Sequence, residues 1–257
     1  MNLWKVIKFV TIVISPVSSK TKILHVTEDP THSHPALQLP SLTVESVQSF
    51  TYLGSEVNSQ QVLEATIKER LVKAGTIFAM LSRIWQASTL PIKVKALVYN
   101  TLVRPVALYG SETWALLPGQ EQQLDTADMK WVRRIAGVTL WDQLHNAEIR
   151  FRALPHCLVS WSETCRQSRL RYYGHLHQLP LDRAPRIALD REAPGAHRPG
   201  RPVTSWNTLI EMDAATRGLT LEELHQLAPD RDQYRDQVVL ADRLNRKPTR
   251  SRPWATR

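Results

Sequence analysis

The chain has 257 residues, 42% of them hydrophobic, and a formal net charge of +9. Length and apolar share allow one large domain or two small ones with a buried core, and the positive balance favours polyanions such as RNA, DNA or an anionic membrane surface. Two cysteines exclude a disulfide framework. Cys157 and Cys165, with His175 and His177 beyond them, also lack the closely spaced ligand pairs of a zinc module, so both read as reduced core residues and no metal is expected.

Residues 1–14 place Lys5 and Lys8 before a short apolar run at 9–14. The run is too short to span a bilayer, and Ser15-Pro16-Val17-Ser18-Ser19 lacks a small-x-small cleavage pattern. It reads as a buried strand or the start of a truncated element. Residues 27–42 carry Pro30, Pro35 and Pro40 among Ser, Thr and His, which suits a loop. Residues 44–57 then mix apolar and polar positions through Val47, Phe50 and Leu53, as short strands about a turn at Gly54 would.

Beyond Gln60 the periodicity turns helical. Leu63, Ile67, Leu71, Ala74, Phe78, Leu81 and Trp85 step by fours and threes along one face, with Lys68, Glu69, Arg70 and Lys73 mostly off it. Pro91 suits the first turn of a second helix carrying Val94, Leu97, Val98 and Leu102, and Pro105 is expected to end it. A third helix runs over 120–136 with Leu124, Asp128, Trp131 and Ile135 aligned and Gly137 as its cap. Leu158, Trp161, Cys165, Tyr172 and Leu176 mark a fourth, broken by Pro180. Pro185, Pro194, Pro199 and Pro202, with two glycines and several arginines, make 184–203 a linker. Trp206, Leu209 and Ile210 lead another helix, and Thr220-Leu221-Glu222-Glu223 forms a capping box that opens the next. Residues 246–257, basic and containing proline, read as disordered.

Several of these segments resemble the region downstream of the polymerase palm in reverse transcriptases of non-LTR retrotransposons. The resemblance rests on Phe50-Thr51-Tyr52-Leu53-Gly54-Ser55, on Leu108-Tyr109-Gly110-Ser111-Glu112-Thr113-Trp114, on Arg169-Leu170-Arg171-Tyr172-Tyr173-Gly174-His175, on Gly200-Arg201-Pro202 with Trp206, and on residues 230–235, where Tyr234 stands at a usual Trp. It implies a mainly α fold: a small N-terminal β hairpin in a palm-edge remnant (1–59), a helical thumb (60–183), the linker (184–203), a helical basic tail (204–245) and the terminus (246–257). Phe50, Tyr52, Leu53, Gly54 and Ser55 would then form a primer grip. Phe50 and Tyr52 share one strand face, where two rings can stack against a sugar or base. Residues implied to contact nucleic acid are Lys20, Lys68, Arg70, Lys73, Lys95, Arg169, Arg171, Arg198 and Arg201. The implied partner is RNA or an RNA–DNA template–primer, with no membrane or small-molecule substrate, in nucleus or cytoplasm.

The carboxylates that would hold catalytic magnesium in such a polymerase are missing. The chain contains no Asp-Asp pair. Nor does it contain a Gly-x-Ser-x-Gly, Walker or His-Glu-x-x-His motif. The sequence thus reads as a truncated reverse-transcriptase fragment that binds nucleic acid without catalysis of its own, needing magnesium only if a palm is supplied. The alternatives are a subdomain of a complete polymerase whose palm lies elsewhere, and an inert or domesticated interaction scaffold.

Overall fold

The computed structural model describes residues 22–24, 37–39, 42–47, 49–52, 55–58, 63–153, 159–190 and 205–239, and these are mainly helical. They fall into two compact units, divided between Ala74 and Gly75. In the first, β1 (Lys22–Leu24) pairs in parallel with β3 (Leu42–Val47), whose other neighbour is the antiparallel β2 (Leu37–Leu39). Then β4 (Ser49–Tyr52) pairs antiparallel with β5 (Ser55–Asn58), setting Phe50 opposite Val57 and Tyr52 opposite Ser55.

Helix α1 (Leu63–Met80) keeps the expected apolar face: Ile67, Ala74 and Phe78 are buried on it, followed by Trp85 on the short α2 (Ser82–Gln86). The Trp85 indole N–H donates to the Phe78 carbonyl at 2.7 Å, across the break between α1 and α2. α3 (Ile92–Val98) runs into a π-helical stretch, Tyr99–Val103, and then α4 (Arg104–Ala107).

Two expectations are corrected here. Pro105 does not end the helix. The wider π turn precedes it, and Pro105 occupies the first turn of α4, where an absent N–H leaves no hydrogen bond unmade. The buried face is not Val94, Leu97 and Leu102, which are 41%, 65% and 46% exposed, but Lys95, Ala96, Tyr99 and Val103.

α5 (Pro118–Ala136) ends at Gly137, whose φ of 68° is the left-handed conformation a C-terminal cap needs. α6 (Asn146–Ala153) follows, then α7 (Trp161–Gln178), the organising helix of the second unit. Asp125 of α5 caps it: its carboxylate accepts from the Ser162 backbone N–H at 2.9 Å and from the Ser162 hydroxyl at 2.7 Å. The span 184–203, expected as linker, begins as a helix, α8 (Ala184–Asp190), with Pro185 in its first turn. α9 (Trp206–Ala215), the box-capped α10 (Leu221–Leu227) and α11 (Arg231–Tyr234), extended by a π turn over Arg235–Val239, complete the described chain. Ile210, Ala214, Leu224, Ala228, Tyr234 and Val238 share one core with Leu170 and Tyr173 of α7. The described residues of the tail thus share a core with α7.

Aromatic rings fill the rest of this unit. Phe78 stacks between Trp85 and Trp131, with ring centroids 4.9 and 5.4 Å away, and Trp131 meets Trp161 edge-on at 5.3 Å. Beside them Asp128, 1% exposed, accepts from the Tyr99 hydroxyl at 2.6 Å and from Arg150. Burial raises the Asp128 carboxyl above the usual carboxylate range even so, and raises the Tyr99 phenol further.

Candidate nucleic-acid interface

α7 sorts its basic residues onto opposite faces. One stripe, Trp161, Cys165, Arg169 and Tyr173, steps by fours into the interior. Arg169 has no accessible surface. Its guanidinium donates to both Asp213 oxygens, at 2.9 and 3.1 Å, and to the Trp114 carbonyl at 3.4 Å. Around this pair Arg166 reaches Glu121 at 2.6 Å, and Arg217 pairs with Glu163. Burial pushes the neighbouring Cys165 thiol up to about 12.

Residues 108–114, Trp206 and Tyr234, from three of the segments that carry the resemblance, pack against α7, which holds a fourth. Arg169 bonds Trp114, and the Trp206 indole N–H donates to the Glu112 carbonyl at 2.9 Å. Gly174 lies under the Tyr234 ring so closely that a Cβ there would stand 2.4 Å from Cε1. The Tyr234 hydroxyl donates to the Leu170 carbonyl at 2.8 Å. These signatures build the interior of the unit.

The outward face differs. Arg171 and His175 of α7 are exposed, and with Gly174, Arg231, Asp232, Tyr234 and Arg235 they line a cleft of about 500 Å³. Three arginines face one aspartate. Arg235 is held by Asp236 at 3.1 Å and Asp232 at 3.4 Å, whereas Arg171 and Arg231 make no ion pair among the described residues. Asp230 sets α11 in place by accepting from the backbone N–H groups of Asp232 and Gln233, at 3.1 and 3.0 Å. Two free guanidinium groups on fixed helices can each grip a phosphate through paired N–H donors.

A second cavity of about 510 Å³ is lined by Tyr173, His177, Arg186, Asp190, Glu211 and His225, among others. Arg186 donates to His177 Nδ1 at 2.5 Å and pairs with Asp190 at 2.9 Å, and the His177 and His225 rings lie 4.5 Å apart. Burial, then the Arg186 charge and His225, lower His177 to about 4, so the imidazole is neutral near pH 7. With its one arginine neutralised and Glu211 beside it, this cavity does not suit a polyanion.

The other expected contact residues scatter. Lys68 and Lys73 are exposed on α1 and pair with Glu64 and Glu69 one turn back. Arg70 is only 6% exposed. Lys95 is 8% exposed and donates to the Trp85 carbonyl at 2.9 Å. Lys95, Arg70 and Arg169 thus offer little or no surface to a phosphate, because each carries its charge into the interior. Lys20, Leu53, Gly54, Arg198 and Arg201 lie outside the described residues, as do the side chains of Phe50, Tyr52 and Ser55. Cys165 is a buried free thiol, and Cys157 lies outside the described set. No described helix is long and apolar enough to cross a membrane, and no three described His, Cys, Asp or Glu side chains cluster to hold a metal.

The sequence points to Arg171 and, beside it, His175 as contact residues, but not to Arg231. The available signal was helical spacing: Arg171 and His175 are four apart, off the apolar stripe.

No family model matches the chain. It is 26% identical over 138 residues, 52% of its length, to a transposon-derived protein of Caenorhabditis elegans. That stretch is 49% of the relative, so the chain spans about half the length of the protein it matches. No solved structure matches.

Proposed function

We propose that this chain descends from the post-palm region of a non-LTR retrotransposon reverse transcriptase and binds RNA or a template–primer duplex without catalysing polymerisation. The observation that carries the reading is the α7–α11 cleft, where Arg171 and Arg231 stand exposed without anionic partners among the described residues. The family-like segments at 108–114, 169–175 and 230–235 support the ancestry, as does the similarity to a transposon-derived protein. Binding is electrostatic. Phosphates displace counterions as they meet the arginines, so affinity falls steeply with salt. Lys68 and Lys73 add a weaker contribution, since each must first exchange its glutamate for a phosphate.

The test is binding of the full chain to a labelled RNA–DNA template–primer across a salt series, beside the variant Arg171→Glu/Arg231→Glu. The parent should bind, and the variant should lose affinity and reduce the salt slope by about 2, one per phosphate contact. Both substitutions sit on exposed side chains, so the melting temperature should hold within the scatter of ordinary surface changes. A folded parent that binds no nucleic acid sinks the reading.

The burial of Arg70, Lys95 and Arg169 favours a second reading, in which the chain acts as an interaction scaffold through its packed helices. On that reading the cleft variant changes nothing.

A further inference from the structure

Trp141 is the most exposed large apolar side chain described. Trp85, Trp114 and Trp161 are buried and Trp131 and Trp206 half-buried, yet Trp141 stands 93% exposed, beside Leu140 at 77%. An indole is usually among the more buried side chains, and this one has solvent on nearly every side.

The exposure does not come from a loose backbone. α5 closes with paired bonds: the Val138 N–H donates to the Arg133 carbonyl at 3.0 Å, and the Gly137 N–H to the Arg134 carbonyl at 3.3 Å. The chain then enters a single 3₁₀ turn, Leu140–Asp142. The Asp142 carboxylate accepts from the Thr139 backbone N–H at 2.6 Å and from its hydroxyl at 2.9 Å. Those bonds hold Asp142 below its usual pKa and thus ionised. Gln143, at a φ of 50°, turns the chain back while its N–H donates to the Leu140 carbonyl at 3.2 Å. Hydrogen bonds thus order both the end of α5 and the turn that carries Trp141. Much of the ordering entropy a contact would otherwise cost is met in advance.

The same end of α5 carries Lys130 and Arg134, one turn apart, both exposed and without an ion pair among the described residues. Arg133 is held by Asn146 at 2.6 Å. The one acid in the turn, Asp142, is committed to the Thr139 bonds. An exposed indole in the turn that follows two cations on α5, neither in an ion pair among the described residues, matches a nucleic-acid strand, whose bases stack and whose phosphates pair. A protein interface also enriches tryptophan and arginine, but its core is depleted in lysine, and here one of the two cations is Lys130.

We propose that Trp141 is a stacking platform for an unpaired base of single-stranded RNA, with Lys130 and Arg134 holding the adjoining phosphates. This rests on the nucleic-acid reading above and adds a second contact, one that selects unpaired over paired strand.

The full chain is titrated against fluorescein-labelled oligouridylate and a blunt RNA–DNA duplex, at several salt concentrations. Trp141→Ala should weaken oligouridylate binding about five- to hundredfold, the range of a lost base–aromatic stack. Its salt slope should not change and its duplex affinity should stay that of the parent. Trp141→Phe should retain most of the affinity. Lys130→Glu/Arg134→Glu should lower the slope for oligouridylate. A parent that binds oligouridylate while Trp141→Ala binds it equally well overturns the stacking site and leaves the cleft standing. A parent that binds neither probe removes both readings. If Trp141→Ala leaves RNA binding alone but abolishes self-association in light scattering, the occupant is protein and the stacking site is wrong.

Discussion

Arg169 and Arg171 sit two residues apart on α7, and the inner and outer faces of that helix put the same side chain to opposite uses. Inside, three arginines (166, 169 and 217) are matched by Glu121, Glu163 and Asp213, so the charges hold helices together. Outside, Arg171 has no such match among the described residues. A count of basic residues treats the two alike, but Arg169, with no accessible surface and its guanidinium bonded to Asp213 and the Trp114 carbonyl, presents nothing to a phosphate. The +9 charge of the chain is therefore a poor guide to which surface could meet a polyanion.

The comparison breaks most sharply at Arg169. Arg169→Met should cost about 3–5 kcal/mol in urea unfolding, because it strands Asp213, 3% exposed, beside a vanished partner. Removing both charges, Arg169→Met with Asp213→Leu, should recover much of that. A single variant as stable as the parent would show that the pair contributes nothing inside.

A smaller effect is expected where the helix floor meets α11. Gly174→Ala drives a methyl group into the Tyr234 ring and should cost about 1–3 kcal/mol, an overpacking penalty. Paired with Tyr234→Leu, the two losses should sum to less than their separate values in a double-mutant cycle. Strict additivity would mean that the two residues do not touch.

The smallest effect sharpens the contrast through pH. His177 titrates near 4 in the folded chain against about 6.5 unfolded. A folded pKa below the unfolded one means that the neutral ring is favoured by folding. Its stabilisation is complete above about 6.5 and is lost as pH falls toward 4. Arg186, Asp190, Tyr173 and His225 surround it. Thermal melts of the parent and His177→Gln between pH 7 and 4 should show the parent losing more stability, by a modest amount since the ring is partly exposed. Parallel curves would count against a neutral buried imidazole.

Much of this architecture was legible in the residues. The stripe of α1, the αL cap at Gly137 and the Thr220–Glu223 box are local signals, set by side-chain spacing and by backbone groups a few positions away, and the structure keeps all three. α3 was misread because Leu97 and Leu102 are greasier than Lys95. The choice of face fell to Tyr99, whose hydroxyl needs Asp128 from another helix, a partner that spacing cannot reveal. α6 and α8 are too short to show periodicity, and the prolines around α8 masked it. For the candidate site, the inward role of Arg169 was readable, since it falls four residues after Cys165 on the apolar stripe. Arg231 was not, because its place opposite Arg171 depends on how α10 and α11 fold back over α7.

Cys165 lends this molecule a means of timing its own opening. Its sulfur is sealed inside α7, and with the thiol lifted to about 12 almost no reactive thiolate exists at neutral pH. Alkylation must wait until the helix parts from its neighbours. The rate at which this one cysteine takes up iodoacetamide, followed by peptide mass spectrometry, therefore counts excursions of the second unit away from its closed form. Added RNA that bridges α7 and α11 would slow that count without touching the sulfur.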